Sequence, residues 1–353
     1  MSNDVSPTDS PSSLDPKPST QRAQEAVESL SQILGPLPDS ITLSDNPPLS
    51  LLNNHHITSQ ITHRLRSPTS GAGDDPLCRW LYDTFQSTNP DLQLIVLSFL
   101  PTIAGVYLSR AISRQPLAGF EAVLLALYAH ETTSRAGEPV TITLPNLTNP
   151  SVYHEAKPPA KNRPTEEPDV AVLSPALEPH GTVRSTKRAR IVGVALELYF
   201  NKISLMPLSS KMEFCRFCMA WSGYQDILDE SKEKKQQEEK KEEEEEEEEE
   251  KGRRIPLPWE LLQPMLRVLG HCLMGPQSSE EMKAMANDAA RCLHERALHD
   301  MNPQAILASG SLLSLGKMKF ESVWESDCVP SCCCSNEAAD QQVEEKEQPV
   351  NQD

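Results

Sequence analysis

Between Asp91 and Arg110 the chain carries no charged side chain, and from Leu92 to Leu108 it is strongly apolar. Shortly afterwards, Phe120–Ala129 is apolar on most faces again, through Val123, Leu124, Leu125, Leu127 and Tyr128. A helix that is apolar all round must be enclosed by protein or by lipid. The first stretch is near the lower length limit for a membrane span. Gln93, Ser98, Pro101, Thr102 and Ser109 interrupt it, however, and Asp91 and Arg110 bound it tightly. A buried central helix is therefore expected, and two such neighbours require further helices around them.

The rest of the chain supplies candidates for that shell. Ala23, Val27, Leu30 and Leu34 recur at helical spacing, and Gly35-Pro36 ends the pattern. Ile41–Leu52, with Pro47-Pro48, reads as an extended connection; Ile57, Ile61 and Leu65 give another helical stripe, and Ser67–Pro76 a Gly/Pro/Asp linker. Leu77, Leu81, Thr84 and Phe85 share one helix face, and Asn89-Pro90-Asp91 reads as a break and N-terminal cap. The next helix runs to about Ser113, with a kink at Pro101, which has no amide to donate. Val140, Ile142 and Leu144 alternate with Thr141 and Thr143, a strand signature ending at Pro145. Residues 156–186 are Pro- and charge-rich, and a mobile loop is expected there. Helices resume near Lys187 and again at Ser210–Trp221; three more are expected at Trp259–Leu273, Ser279–Leu298 and Pro303–Leu315. The fold class is thus all-α, a helical bundle or stacked helix pairs, with a small β-strand excursion near 140–145. No fixed-period repeat is evident.

Charge maps onto this division. Residues 1–76 hold 9 acidic and 4 basic side chains, 230–254 hold 13 and 8, and 321–353 hold 9 and 1, while 77–229 and 255–320 are balanced at 14 each and 6 each. The net charge of −18 therefore sits in the flanks and one insert. Disorder is expected for 1–20, for the Glu/Lys-rich insert 230–254 with nine consecutive Glu at 242–250, and for the acidic tail 321–353. The helical domain accordingly falls in two parts, 21–229 and 255–320. No basic face stands out, which disfavours nucleic acid and direct electrostatic binding to anionic lipid. Residues 1–20 have no apolar h-region, and the odd count of 9 Cys fits free thiols in a reducing, cytoplasmic setting.

Catalytic motifs are not found. The sequence contains no phosphate-binding G-x-x-x-x-G-K-[ST], no G-x-G-x-x-G, no kinase-type H-R-D or D-F-G, and no G-x-S-x-G elbow. Cys215-Arg216-Phe217-Cys218 is a C-x-x-C, but it lies within an apolar helix without a second ligand pair, and reads as core thiols. His55, His56 and His63 read as surface residues. His271, Cys272, Cys292, His294 and His299 fit no ligand pattern either. No catalytic, cofactor-binding or metal residues are expected. Cys332, Cys333 and Cys334 are a candidate S-acylation cluster, although their acidic surroundings oppose membrane approach and favour unmodified thiols.

Several segments, taken together, resemble the hyccin family. The most specific is Thr143-Leu144-Pro145-Asn146-Leu147-Thr148-Asn149-Pro150-Ser151-Val152-Tyr153-His154-Glu155. Phe99-Leu100-Pro101, Phe120–Tyr128, Met206-Pro207 and Arg254-Ile255-Pro256-Leu257-Pro258 are similar to family segments in the same order, and the resemblance extends over roughly 21–315. It implies an all-helical domain and a non-catalytic scaffold role in a phosphatidylinositol 4-kinase complex. The partners it implies are a tetratricopeptide-repeat scaffold protein, the type III alpha phosphatidylinositol 4-kinase, and a lipidated membrane-anchor subunit. Membrane contact would be indirect, with the chain cytoplasmic and peripheral at the plasma membrane. Pro150, Ser151, Val152, Tyr153, His154 and Glu155 would form a partner contact or a structural clamp. The Glu-rich insert and the short acidic tail depart from the pattern of animal relatives. Two competing readings are an unrelated helical adaptor in membrane trafficking and a thiol or metal enzyme using Cys215 and Cys218.

Overall fold

The computed structural model describes residues 19–144, 169–179, 182–184, 186–223, 258–276 and 278–326, with side chains described from residue 21 to 317. The Glu-rich insert, the segment Pro150–Glu155 and Cys332–Cys334 lie outside the described residues. Within them the chain forms thirteen α-helices and one two-stranded ribbon.

The first half folds around the charge-free stretch. Helix α1 (Ser19–Leu34) packs on α5 (Pro76–Gln86), and the Trp80 indole N–H donates to the Ala26 carbonyl at 2.8 Å. The connection expected to be extended over 41–52 is instead two short helices, α2 (Asp39–Thr42) and α3 (Pro47–Asn53). Pro47 and Pro48 occupy the first turn of α3, where a missing N–H breaks no helical bond, and Asn46 caps the Leu49 amide at 3.3 Å. Helix α4 (His55–Arg66) is capped by Asn54 and buries Ile57, Ile61 and Leu65 as the stripe predicts.

Asn89 caps α6 (Pro90–Ser98), accepting from the Asp91 and Leu92 amides. The expected single kinked helix is two: α6 ends at Ser98, and α7 (Leu100–Ser113) leaves at 47° after Phe99. Pro101 falls in the first turn of α7, where its missing amide suits a helix start better than a helix interior. No single helix among the described residues is long and apolar enough to cross a membrane. The α6–α7 pair would be by length and composition, but it is bent, and Ile95, Leu97, Leu100, Ile103 and Tyr107 are buried among other helices.

Residues 67–76 are not a loose linker. Ser70 and Asp75 are buried, the Asp75 carboxylate caps α5 and accepts the Gly71 amide at 2.6 Å, and the Arg110 guanidinium of α7 donates to the Ser67 and Ser70 carbonyls. Gly71 (φ +78°) passes so close to Phe120 of α8 (Ala118–Ser134) that an added Cβ would lie 2.2 Å from its ring.

After α8 the ribbon projects. β1 (Val140–Thr143) pairs antiparallel with β2 (Val170–Ser174), with Thr141 opposite Val172 and Thr143 opposite Val170. Sequence periodicity placed β2 inside the mobile loop; a run of five residues between Asp169 and Pro175 acquires its identity only from the strand it meets.

The second half closes the bundle. Helix α9 (Arg188–Asn201) leads through a 3-10 turn (Ile203–Leu205) to α10 (Leu208–Trp221). Beyond the insert follow α11 (Trp259–Met274), α12 (Glu280–His299) and α13 (Pro303–Ser326), which extends eleven residues past its expected end and beyond the boundary placed at 320. α11 packs on α9, and α10 on α12 and α7, so both parts of the helical region share one continuous apolar cluster from Val27 to Leu312. Buried hydroxyls join three of these helices. Ser210 donates to the Ser98 carbonyl at 2.6 Å, so Tyr199 must donate to Ser210 at 3.0 Å.

Candidate interaction surface

The turn before α13 sets its orientation. Ser279 caps α12 through the Met282 amide, and Arg296 near the helix end pairs with Asp300 at 2.7 Å. Met301 then takes a left-handed conformation (φ +50°), the Asn302 amide returns to the Ala297 carbonyl, and Asn302 caps α13 through the Ala305 amide. From Pro303 to Gly316 no residue is charged. Ala305, Ser309, Leu312 and Gly316 turn inward at four- and three-residue steps, packing α13 on α11 and α12. Ser309 donates to the Ala305 carbonyl, so it accepts from His294 Nδ1, which fixes the proton on that nitrogen.

The outward face of α13 holds Leu307, Ser311, Ser314 and Leu315. Leu307 is 73% exposed and Leu315 46%, and Met301, in the preceding turn, is 80% exposed. Outward helix faces normally carry charge. A charge-depleted face with large aliphatic side chains is the composition of a protein interface core.

A second uncharged feature is the ribbon. Val170 and Val172 are more than half exposed, Val140 and Ile142 are exposed as well, and neither strand carries a charge. Its base is fixed to the body: the Leu177 amide donates to the Gly137 carbonyl at 2.8 Å, and the Tyr128 hydroxyl accepts from the Glu178 amide at 3.1 Å.

The residues that sequence reading considered for chemistry do not converge. Cys215 and Cys218 are buried in α10, as expected for core thiols. Hydrogen bonding to Cys272 and burial push the Cys215 thiol far up, and burial among neighbouring thiols does the same to Cys218. Both shifts disfavour the thiolate form that metal binding and disulfide exchange need. Cys272 and Cys292 are buried in α11 and α12. Burial, with Lys211 adding, holds His271 below the ordinary histidine value. His299 lies against Asp300, and His55, His56 and His63 are exposed on α4. Among the described residues no group of three or more His, Cys, Asp or Glu could hold a metal ion.

Sequence reading missed the face of α13. The signal was the charge-free run 303–316; its direction in space depends on where α11 and α12 lie.

The described fold is collinear with the segments that carry the family resemblance, from Phe99-Leu100-Pro101 at the α6–α7 junction to Met206-Pro207 before α10. The family model described as Hyccin matches residues 42–332, from the end of α2 to beyond α13. With that match over most of its length, the chain belongs to the Hyccin family.

Proposed function

We propose that this chain is a non-catalytic scaffold subunit that helps assemble a phosphatidylinositol 4-kinase complex at the plasma membrane and so supports phosphatidylinositol 4-phosphate production. The observation that carries the reading is membership of the Hyccin family over residues 42–332. In this reading the chain packs against a tetratricopeptide-repeat scaffold protein, which holds the type III alpha phosphatidylinositol 4-kinase, and a lipidated subunit brings the assembly to the membrane. The uncharged face of α13 is the contact: Leu307 and Leu315 gain by leaving water and bury no unpaired charge. Charge agrees with indirect membrane contact, since the chain is −18 overall and an anionic lipid surface repels it.

Affinity purification of the tagged chain from its own cells, followed by a lipid-kinase assay on the eluate, tests this. The repeat protein and the kinase are expected to co-elute with phosphatidylinositol 4-kinase activity. An eluate of trafficking adaptors without either would assign the chain to a different assembly.

A further inference from the structure

Helices α4 and α10 face each other across an open groove of about 590 Å³, within the usual size range of ligand clefts. Its floor is the α6–α7 break, with Ser98, Phe99 and Thr102. One wall is the outward face of α4, where His55, Ser59 and the adjacent pair Thr62 and His63 lead to Arg66 at helical spacing. The other wall is α10, with Leu208, Met212, Glu213 and Arg216. His55, Ser59, His63, Arg66, Leu208 and Arg216 are exposed along these walls, outside the buried core and apart from the α13 face.

The charges in the groove are unbalanced. Glu213 is the one carboxylate among the lining residues, and two guanidinium groups share it: Arg66 donates to one oxygen, and Arg216 to the other at 2.7 Å. Each guanidinium has five N–H donors in a fixed fork. Both arginines are about half exposed, so most of those donors remain available to a second anion. Beside them lie apolar surfaces, the half-exposed Leu208 with the partly exposed Met212. The wall from His55 to Arg66 spans about 16 Å at 1.5 Å per residue. That length exceeds what one phosphate or carboxylate can occupy, and the apolar Leu208 and Met212 offer nothing to a bare inorganic ion.

We infer that this groove docks an acidic peptide segment of a partner protein, in which Asp or Glu side chains flank an apolar residue. The carboxylates pair with Arg66 and Arg216, and the apolar side chain rests on Leu208 and Met212. Glu213 holds the two guanidinium groups in place and also competes with the ligand. The inference is independent of the proposed subunit role, because it rests on the groove alone.

Fluorescence anisotropy on the full chain tests it, with a short labelled peptide of Asp and Glu around a Leu-Leu pair as the probe. Binding is expected to weaken with added salt. Arg66→Gln combined with Arg216→Gln should lower affinity about tenfold or more, whereas Glu213→Gln should raise it about threefold by removing the competing carboxylate. Ser59→Glu sits on the exposed wall away from the core, so it should abolish binding while the circular dichroism and melting curve stay unchanged. Equal binding of the Asn/Gln version of the peptide, or displacement by inorganic pyrophosphate at equal concentration, would overturn the inference. An affinity that rises tenfold or more when 231–251 is deleted would give the groove to the chain's own glutamates and overturn the partner assignment.

Discussion

Replacing Arg110 with alanine is expected to destabilise the protein by about 3–5 kcal/mol, the sum of several buried acceptors left without donors. Arg110 is 4% exposed, yet among the described residues no carboxylate pairs with it directly. It donates instead to backbone carbonyls: Ser70, Ser67 at 2.6 Å and Pro116 at 3.2 Å, with the Ser70 hydroxyl at 3.1 Å. Its carbon lies 5.2 Å from the centre of the Phe120 ring. One side chain thus ties the turn between α4 and α5, the end of α7 and the start of α8 together. Truncation leaves the carbonyls in an interior that water does not readily enter. Arg110→Lys should recover less than half the loss, because a compact ammonium cannot reproduce the planar fork. Urea denaturation of the three proteins measures this; an alanine variant within about 1 kcal/mol of wild type would show that the turn is held by other contacts.

Gly193→Val is expected to cost about 2–3 kcal/mol, against helix propensity, which disfavours glycine in a helix interior by about 1 kcal/mol. The reason lies in the facing helix. Pro264, inside α11, has no N–H to give the Glu260 carbonyl four residues earlier, so that oxygen is left outside the helical ladder. Gly193 of α9 packs directly over it, and a Cβ would lie 2.5 Å from the oxygen. The obstacle is backbone, which cannot swing aside as the end of a flexible side chain would. α9 and α11 would have to separate, loosening the contact that joins the two parts of the helical domain across the insert. Thermal unfolding should show a lowered Tm for Gly193→Val and a smaller drop for Gly193→Ala. A rise in Tm for the alanine variant would mean that propensity outweighs the clash.

The parts of the fold that sequence made legible are those governed by local chemistry. The charge-free run after Asp91 had to be buried, Asn89 had to cap, and Ile57, Ile61 and Leu65 had to share a face. What escaped depends on partners distant in the chain. Pro47-Pro48 suits an extended segment and a first helical turn equally well, and only the packing of α3 on α6 decides. Four consecutive apolar residues at 170–173 become a strand because β1 is beside them. Ser67–Pro76 has linker composition, but Arg110, about 40 residues away, closes it. The groove was invisible for the same reason: Arg66 and Glu213 are separated by 147 positions and meet only after α4 and α10 pack around the α6–α7 break. Cys215, Cys218, Cys272 and Cys292 are buried as the sequence implies, because an apolar helix face buries whatever it carries.

The α13 face bears most directly on the proposed role. Leu307→Asp with Leu315→Asp places two charges on exposed positions, so the melting temperature should stay within a few degrees of wild type. The decisive measurement is size-exclusion co-elution of this double variant, beside the wild-type chain, with the purified repeat protein and lipid kinase. The wild-type chain is expected to elute in the complex and the folded variant alone, a loss of roughly 2 kcal/mol or more of binding free energy. Equal co-elution of both would contradict docking through this face, and a wild-type chain that never joins the complex would contradict the scaffold role itself.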